Sequence, residues 1–195
     1  MLLVAAFVLC VANVPLTGGR LSALGEHKIS YSWALLAALA IQIFVISIAQ
    51  GLSPLASAVA HLASYAFILT FLVANRSLPG VWLLTIGTVI NSIAIASNYG
   101  VMPATRSALK AAGQMPEAGM FENSTVVAHP NFAFLGDLFA WPTPLPLHNV
   151  FSPGDVCIVL GAALVLHQVC QTRFTRLGKQ ESASVVPLGS GGSGA

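Results

Sequence analysis

Long apolar runs constrain this chain more than anything else in it. Residues 31–50, 55–75, 80–98 and 154–171 are almost free of charge, and each is close to the roughly 20 residues a helix needs to cross about 30 Å of hydrocarbon. A fifth run, residues 2–16, is shorter and would span only where the bilayer thins, so four spans are the fallback. No Lys or Arg precedes that run, and a cleaved signal peptide needs a basic leader, so it reads as a retained helix. Only 7% of the residues are charged and the mean hydropathy is +0.82, whereas soluble domains carry about 25% charged residues. The expected fold class is an all-α integral membrane protein, a bundle of about five transmembrane helices.

The loop over residues 100–153 is expected to act as an extracytoplasmic lid on that bundle, since it holds seven of the eleven prolines and little hydrophobic periodicity. Residues 1–180 form a single transmembrane domain in this reading. The Gly/Ser-rich stretch 181–195 reads as a disordered tail or linker.

Charge sets the expected orientation, because cytoplasmic loops accumulate Lys and Arg. Five spans would put Arg20, Lys28, Arg76, Arg173, Arg176 and Lys179 on one side and Arg106 and Lys110 on the other. The C-terminus is then cytoplasmic and the N-terminus outside. Glu117, Glu122, Asp137 and Asp155 fall on the outer side. A net charge of +2 without a clustered basic face excludes nucleic acid as a partner. Cys10, Cys157 and Cys170 lie in apolar runs without metal-ligand spacing and read as small buried hydrophobes.

Polar side chains inside apolar helices are costly and face a bundle interior or cavity. At about 1.5 Å per residue, His61 and Asn91 would lie about 9 and 10 Å below the outer surface, at a shared level. Gly87, Asn91, Ala94 and Asn98 follow one helix face, as do Ser57, His61 and Ser64. Such stripes serve either interhelical hydrogen bonding and close packing or an outward-opening polar pocket. Ala56, Ala60 and Ser64 make a small-residue ridge that favours packing, Gln42 adds another interior contact, and His167 near a helix end reads as structural.

In the loop, Ser152-Pro153-Gly154-Asp155 has the form of a capping box opening the last helix. Asp137, His129 and His148 could approach Asp155 and supply acid-base or metal chemistry. Their spacing matches no zinc template, so no metal or other cofactor is expected, and turn-forming roles compete for the same residues. Residues 139–147, rich in aromatics and proline, suit an extended segment with Trp141 at headgroup depth. Asn123-Ser124-Thr125 fits a glycosylation acceptor. Phosphate loops and nucleophile elbows do not occur.

Three strings carry a resemblance: Asn98-Tyr99-Gly100-Val101-Met102-Pro103, Leu135-Gly136-Asp137, and Asn149-Val150-Phe151-Ser152-Pro153-Gly154-Asp155. They resemble the N-x-G-x-M-P, L-G-D and N-x-F-S-x-G-D motifs of a family of small multi-pass bacterial membrane proteins known only as a domain of unknown function. The resemblance covers the chain up to Gln180, with Tyr99 and Pro153 at variable positions. It implies a bacterial plasma membrane and a shared design, and it brings no activity. It directs attention to Asn98, Met102, Pro103, Asp137, Asn149 and Asp155.

Together these features favour a non-enzymatic protein that binds a lipid or small ligand, or serves as an accessory subunit, with its site at the extracytoplasmic rim. Candidate ligand-binding residues are His61, Asn91, Asn98, Met102, Asp137, Asn149 and Asp155, and the metal candidates are His129, Asp137 and His148. Membrane lipids and a partner membrane subunit are the expected partners. The alternatives are a membrane-embedded enzyme acting on a lipid-linked substrate, through Asp137, Asp155, His129 or His148, and a small transporter. The transporter would need a polar path past Gln42.

Overall fold

A computed structural model describes residues 2–47, 54–114 and 124–175. The tail 181–195, Glu117, Glu122, Asn123, Arg176 and Lys179 lie outside the described residues, as does the Ser57 side chain.

Runs of Ala, Leu and Val without charge form helices wherever the backbone can bond to itself away from water. They do so in α1 (Leu2–Leu16), α3 (Ser32–Ser47), α4 (Pro54–Ala74), α5 (Val81–Ser97) and α7 (Pro153–Val169), with short helices α2 (Ala23–Glu26) and α6 (Arg106–Ala111) between them. α4 packs on both α3 and α5, α5 on α7, and α7 on α1. The first helix therefore docks beside the last, through Val14, Leu166 and Cys170.

The expectation of a transmembrane bundle is corrected here. Among the described residues, no helix is long and apolar enough to cross a membrane. α1, α3, α5 and α7 have 15, 16, 17 and 17 residues, which is about 22 to 26 Å of helix against about 30 Å of hydrocarbon. α4 is longer at 21 residues but carries His61, Ser64, Tyr65 and Thr70 along its length. A specific pair of hydrogen bonds marks the end of α4. Asn75, just after α4, accepts from Ser30 N at 2.9 Å and donates to Ser30 O at 2.8 Å, which stops the helix and ties its end to the start of α3.

The all-α expectation is corrected as well. The segment after α5 contains strands β1 (Met102–Pro103), β2 (Ser124–Thr125), β3 (Phe139–Trp141) and β4 (Asn149–Phe151), with a 3-10 turn at Ala133–Leu135. β1 and β2 pair in parallel, β3 and β4 antiparallel. Ala104, Ala108, Leu109, Ala112 and Val150 make a small core of their own, with Val126 and Ala140 against it. This cap meets the end of α5 through β1 and the 3-10 turn.

The α5–α7 contact is built from glycine. A Cβ on Gly87 would lie 2.5 Å from the Gly154 carbonyl, and one on Gly161 would lie 2.6 Å from Leu84 N and 3.2 Å from the Gly80 carbonyl. Gly80 and Gly87 on one helix thus face Gly161 and Gly154 on its antiparallel neighbour, and the two backbones touch. Just beyond Gly87 comes Asn91, whose amide oxygen sits against Gly154.

Candidate functional site

At the capped end of the α5–α7 crossing lies a closed polar ring of three buried side chains. Asn91 Nδ2 donates to Asp155 Oδ1 at 2.7 Å, and Ser152 Oγ donates to Asn91 Oδ1 at 2.9 Å. Ser152 N donates to Asp155 Oδ2 at 3.0 Å, and Asp155 N donates back to Ser152 Oγ at 3.0 Å. The last two bonds are the capping box of α7. Both carboxylate oxygens of Asp155 are therefore engaged, and the Asn91 amide has one orientation, since exchanging its O and N would set an amide oxygen against the Asp155 carboxylate.

Tyr65 and His61 approach this ring from α4. Their rings stack at 5.5 Å, and burial holds the His61 imidazole below its usual pKa. The Tyr65 phenol is held above its normal range, first by burial and then by the Asp155 and Asp137 carboxylates, with a hydrogen bond to Asn91 pulling the other way.

Asp137 reaches the same neighbourhood from the cap. Its backbone N donates to Pro103 O at 2.8 Å and its carbonyl accepts from Thr105 N at 3.1 Å, so it sits in an extended bridge rather than a turn. Its Oδ2 accepts from Ser124 Oγ at 2.6 Å. The side chain is buried, and its pKa rises to about 6: burial is the main cause, the Ser124 bond opposes it, and Asp155 adds to it. Folding therefore favours the protonated form. Stability should be full below about pH 4, the unfolded value, and fall by roughly 3 kcal/mol as pH climbs to about 6, then level off. Denaturant midpoints across that range should show this slope in the native protein and lose it in Asp137→Asn. A slope that persists in the variant would assign the titration to another group.

The other candidates do different work. Asn98 Nδ2 donates to Asn131 O at 2.9 Å and its Oδ1 accepts from Asn131 N at 2.9 Å, a reciprocal clamp that pins the cap to the end of α5. Met102 is core, packed with Ala94 and Ile95. The Asn149 side chain accepts from its neighbour Val150 N at 3.0 Å, and the residue lies in β4 opposite Trp141. His129 and His148 are exposed. No group of three metal-ligating side chains occurs among the described residues. Gln42 Nε2 donates to Ser64 Oγ at 3.1 Å, which ties α3 to α4.

Sequence reasoning brought out Asn91, Asp155 and Asp137 but passed over Tyr65, and treated Ser152 only as a cap and Ser124 only as part of a glycosylation acceptor. Tyr65 had a signal, being one turn beyond His61 on the same helix face. The partnership of Ser124 with Asp137 had none, because it arises from a two-residue parallel pairing. What the assembled cluster can do chemically is hold a proton on Asp137 up to about pH 6 and present a phenol and an imidazole beside a fixed amide–carboxylate pair.

Comparison with known proteins adds a family but no activity. No curated protein and no solved structure shows significant similarity to the chain. One family pattern matches residues 26–167, which takes in the polar ring, the cap and four of the five long helices in the row, and by that match the chain belongs to a family of unknown function, DUF5317.

Proposed function

We propose that the protein is a non-enzymatic binding or accessory protein that works against lipid at the bacterial plasma membrane. Its exposed apolar side chains rest against lipid or a partner subunit, and the cluster around Asn91, Tyr65 and Asp137 is the candidate site for a small amphipathic ligand. The observation that carries the reading is the apolar surface of the helix row: large side chains such as Leu9, Leu36, Leu55, Val59, Trp82 and Leu160 are more than half exposed. Exposure of this many large apolar side chains favours a contact with lipid or protein. The engagement of both Asp155 oxygens inside the fold supports a structural rather than a catalytic carboxylate there.

Flotation of the purified protein with phosphatidylcholine vesicles, together with mass spectrometry of co-purifying lipid, tests this. Co-migration with vesicles and retained lipid are expected. A protein that stays with the soluble fraction and carries no lipid would overturn the reading.

A second reading, an enzyme acting on a lipid-linked substrate, draws on the raised pKa of Asp137 beside Tyr65. Consumption of a lipid-linked substrate that disappears in Asp137→Asn, with the fold intact, would favour it.

A further inference from the structure

The end of the helix row opposite the cap gathers cations. Arg173 N donates to Thr17 O at 3.0 Å and Arg20 N donates to Cys170 O at 3.0 Å, so the turn after α1 and the end of α7 are clipped together at both sides. That clip sets Arg20 and Arg173 next to each other. A second clip, the Asn75–Ser30 amide pair, brings Arg76 against the segment that carries Lys28. All four side chains are exposed, and the acid at this end among the described residues is Glu26. Exposed apolar side chains accompany them, with Leu16 beside the first pair in sequence and Phe174 next to Arg173. The start of α5 lies at this same end, because Gly80 packs against Leu164 and Val165 late in α7.

We propose that this end is a docking surface for the headgroups of an anionic lipid bilayer. Two cation pairs held by hydrogen-bonded clips complement a layer of phosphate charge, and the flanking Leu16 and Phe174 suit the boundary between headgroup and acyl chain. The inference rests on the lipid-associated reading above and gives it a direction: the clipped ends face the charged surface, and the cap points away. Charge rather than guanidinium shape carries the recognition, because the complement is a diffuse layer and not a single bidentate oxyanion.

Flotation of the full chain on vesicles of phosphatidylcholine alone, and of phosphatidylcholine mixed equally with phosphatidylglycerol, separates the two claims. Preference for the mixed vesicles, weakened by salt, is expected. Arg20→Gln/Arg173→Gln and Lys28→Gln/Arg76→Gln should each lower partitioning onto mixed vesicles about 30-fold at low salt, from roughly fivefold per cation. Binding to neutral vesicles should be unchanged, and Arg20→Lys/Arg173→Lys should keep the preference. Equal binding to both vesicle types would overturn the docking surface while leaving lipid association intact. Binding to neither would remove both. Loss of the preference in the lysine variant too would overturn the charge argument.

Discussion

Gly87→Ala is expected to destabilise the protein by about 2 kcal/mol, measured as a shift in denaturant midpoint at constant slope. Two effects compete. Alanine gains about 1 kcal/mol over glycine in helix propensity, while forcing atoms into a packed contact costs about 1–3 kcal/mol and occasionally more. The second wins here because the added Cβ would stand 2.5 Å from the Gly154 carbonyl, with Ile158 and Cys157 side-chain carbons at 2.8 and 2.9 Å. A backbone carbonyl cannot rotate aside, so α5 and α7 must separate, and the Asn91–Asp155 bond stretches with them. Gly25→Ala is the control, since a Cβ there meets nothing within 4 Å. Equal midpoints for the two variants would disprove the close crossing.

Asn91→Leu should cost more, about 3 kcal/mol. The substitution leaves Asp155 Oδ1 without its 2.7 Å donor and Ser152 Oγ without its acceptor, both in a buried setting. A buried group stripped of its partner costs about 1–3 kcal/mol, and more when charged. Asn91→Asp makes a sharper test. It would put a second carboxylate at hydrogen-bond distance from Asp155, and two carboxylates that close cannot both ionise. That variant should lose more stability than the native protein does between pH 5 and pH 8, because one shared proton relieves the repulsion only at the lower pH. Thermal unfolding of both proteins at the two pH values measures this, and a variant profile parallel to the native one would mean the two side chains do not meet.

How much of this was legible in the sequence depends on the range of the forces involved. Helix positions follow from apolar runs because backbone hydrogen bonding within a run needs no distant partner. The ends of the helices were less legible than their positions, because they are set by side chains that reach elsewhere. Asn75 bonds to a residue 45 positions away, and Tyr31 and Gln171 take left-handed conformations that break the helical path. Hydropathy counts such residues as part of a run, so residues 80–98 and 154–171 read one or two residues longer than α5 and α7. The cap was less legible still. Its strands are two or three residues long, too short for alternation to register, and its helix α6 is a single turn and a half of Ala, Leu and polar residues.

Within the candidate site, the Gly87–Asn91–Ala94–Asn98 stripe was visible as a helical period, and the structure buries all four. The same period could not say what the stripe faces. Asn91 turns to α7 and the cap strand's end, while Asn98 turns to Asn131, a residue unremarkable in sequence. His129 and His148 show the same limit: metal-capable residue types in one loop carry no information about convergence when the loop folds around its own core.

The position of α7 between α5 and α1 bears on how the chain is made. A ribosome releases α1 and α5 before α7, so the Val14 face of α1 and the glycine face of α5 both stay bare until α7 emerges. Neither has its partner in the growing chain before then. The helix row closes in a late step from both sides at once, and synthesis halted before Pro153 would leave two unsatisfied surfaces, one close-packing and one greasy, for quality control to find.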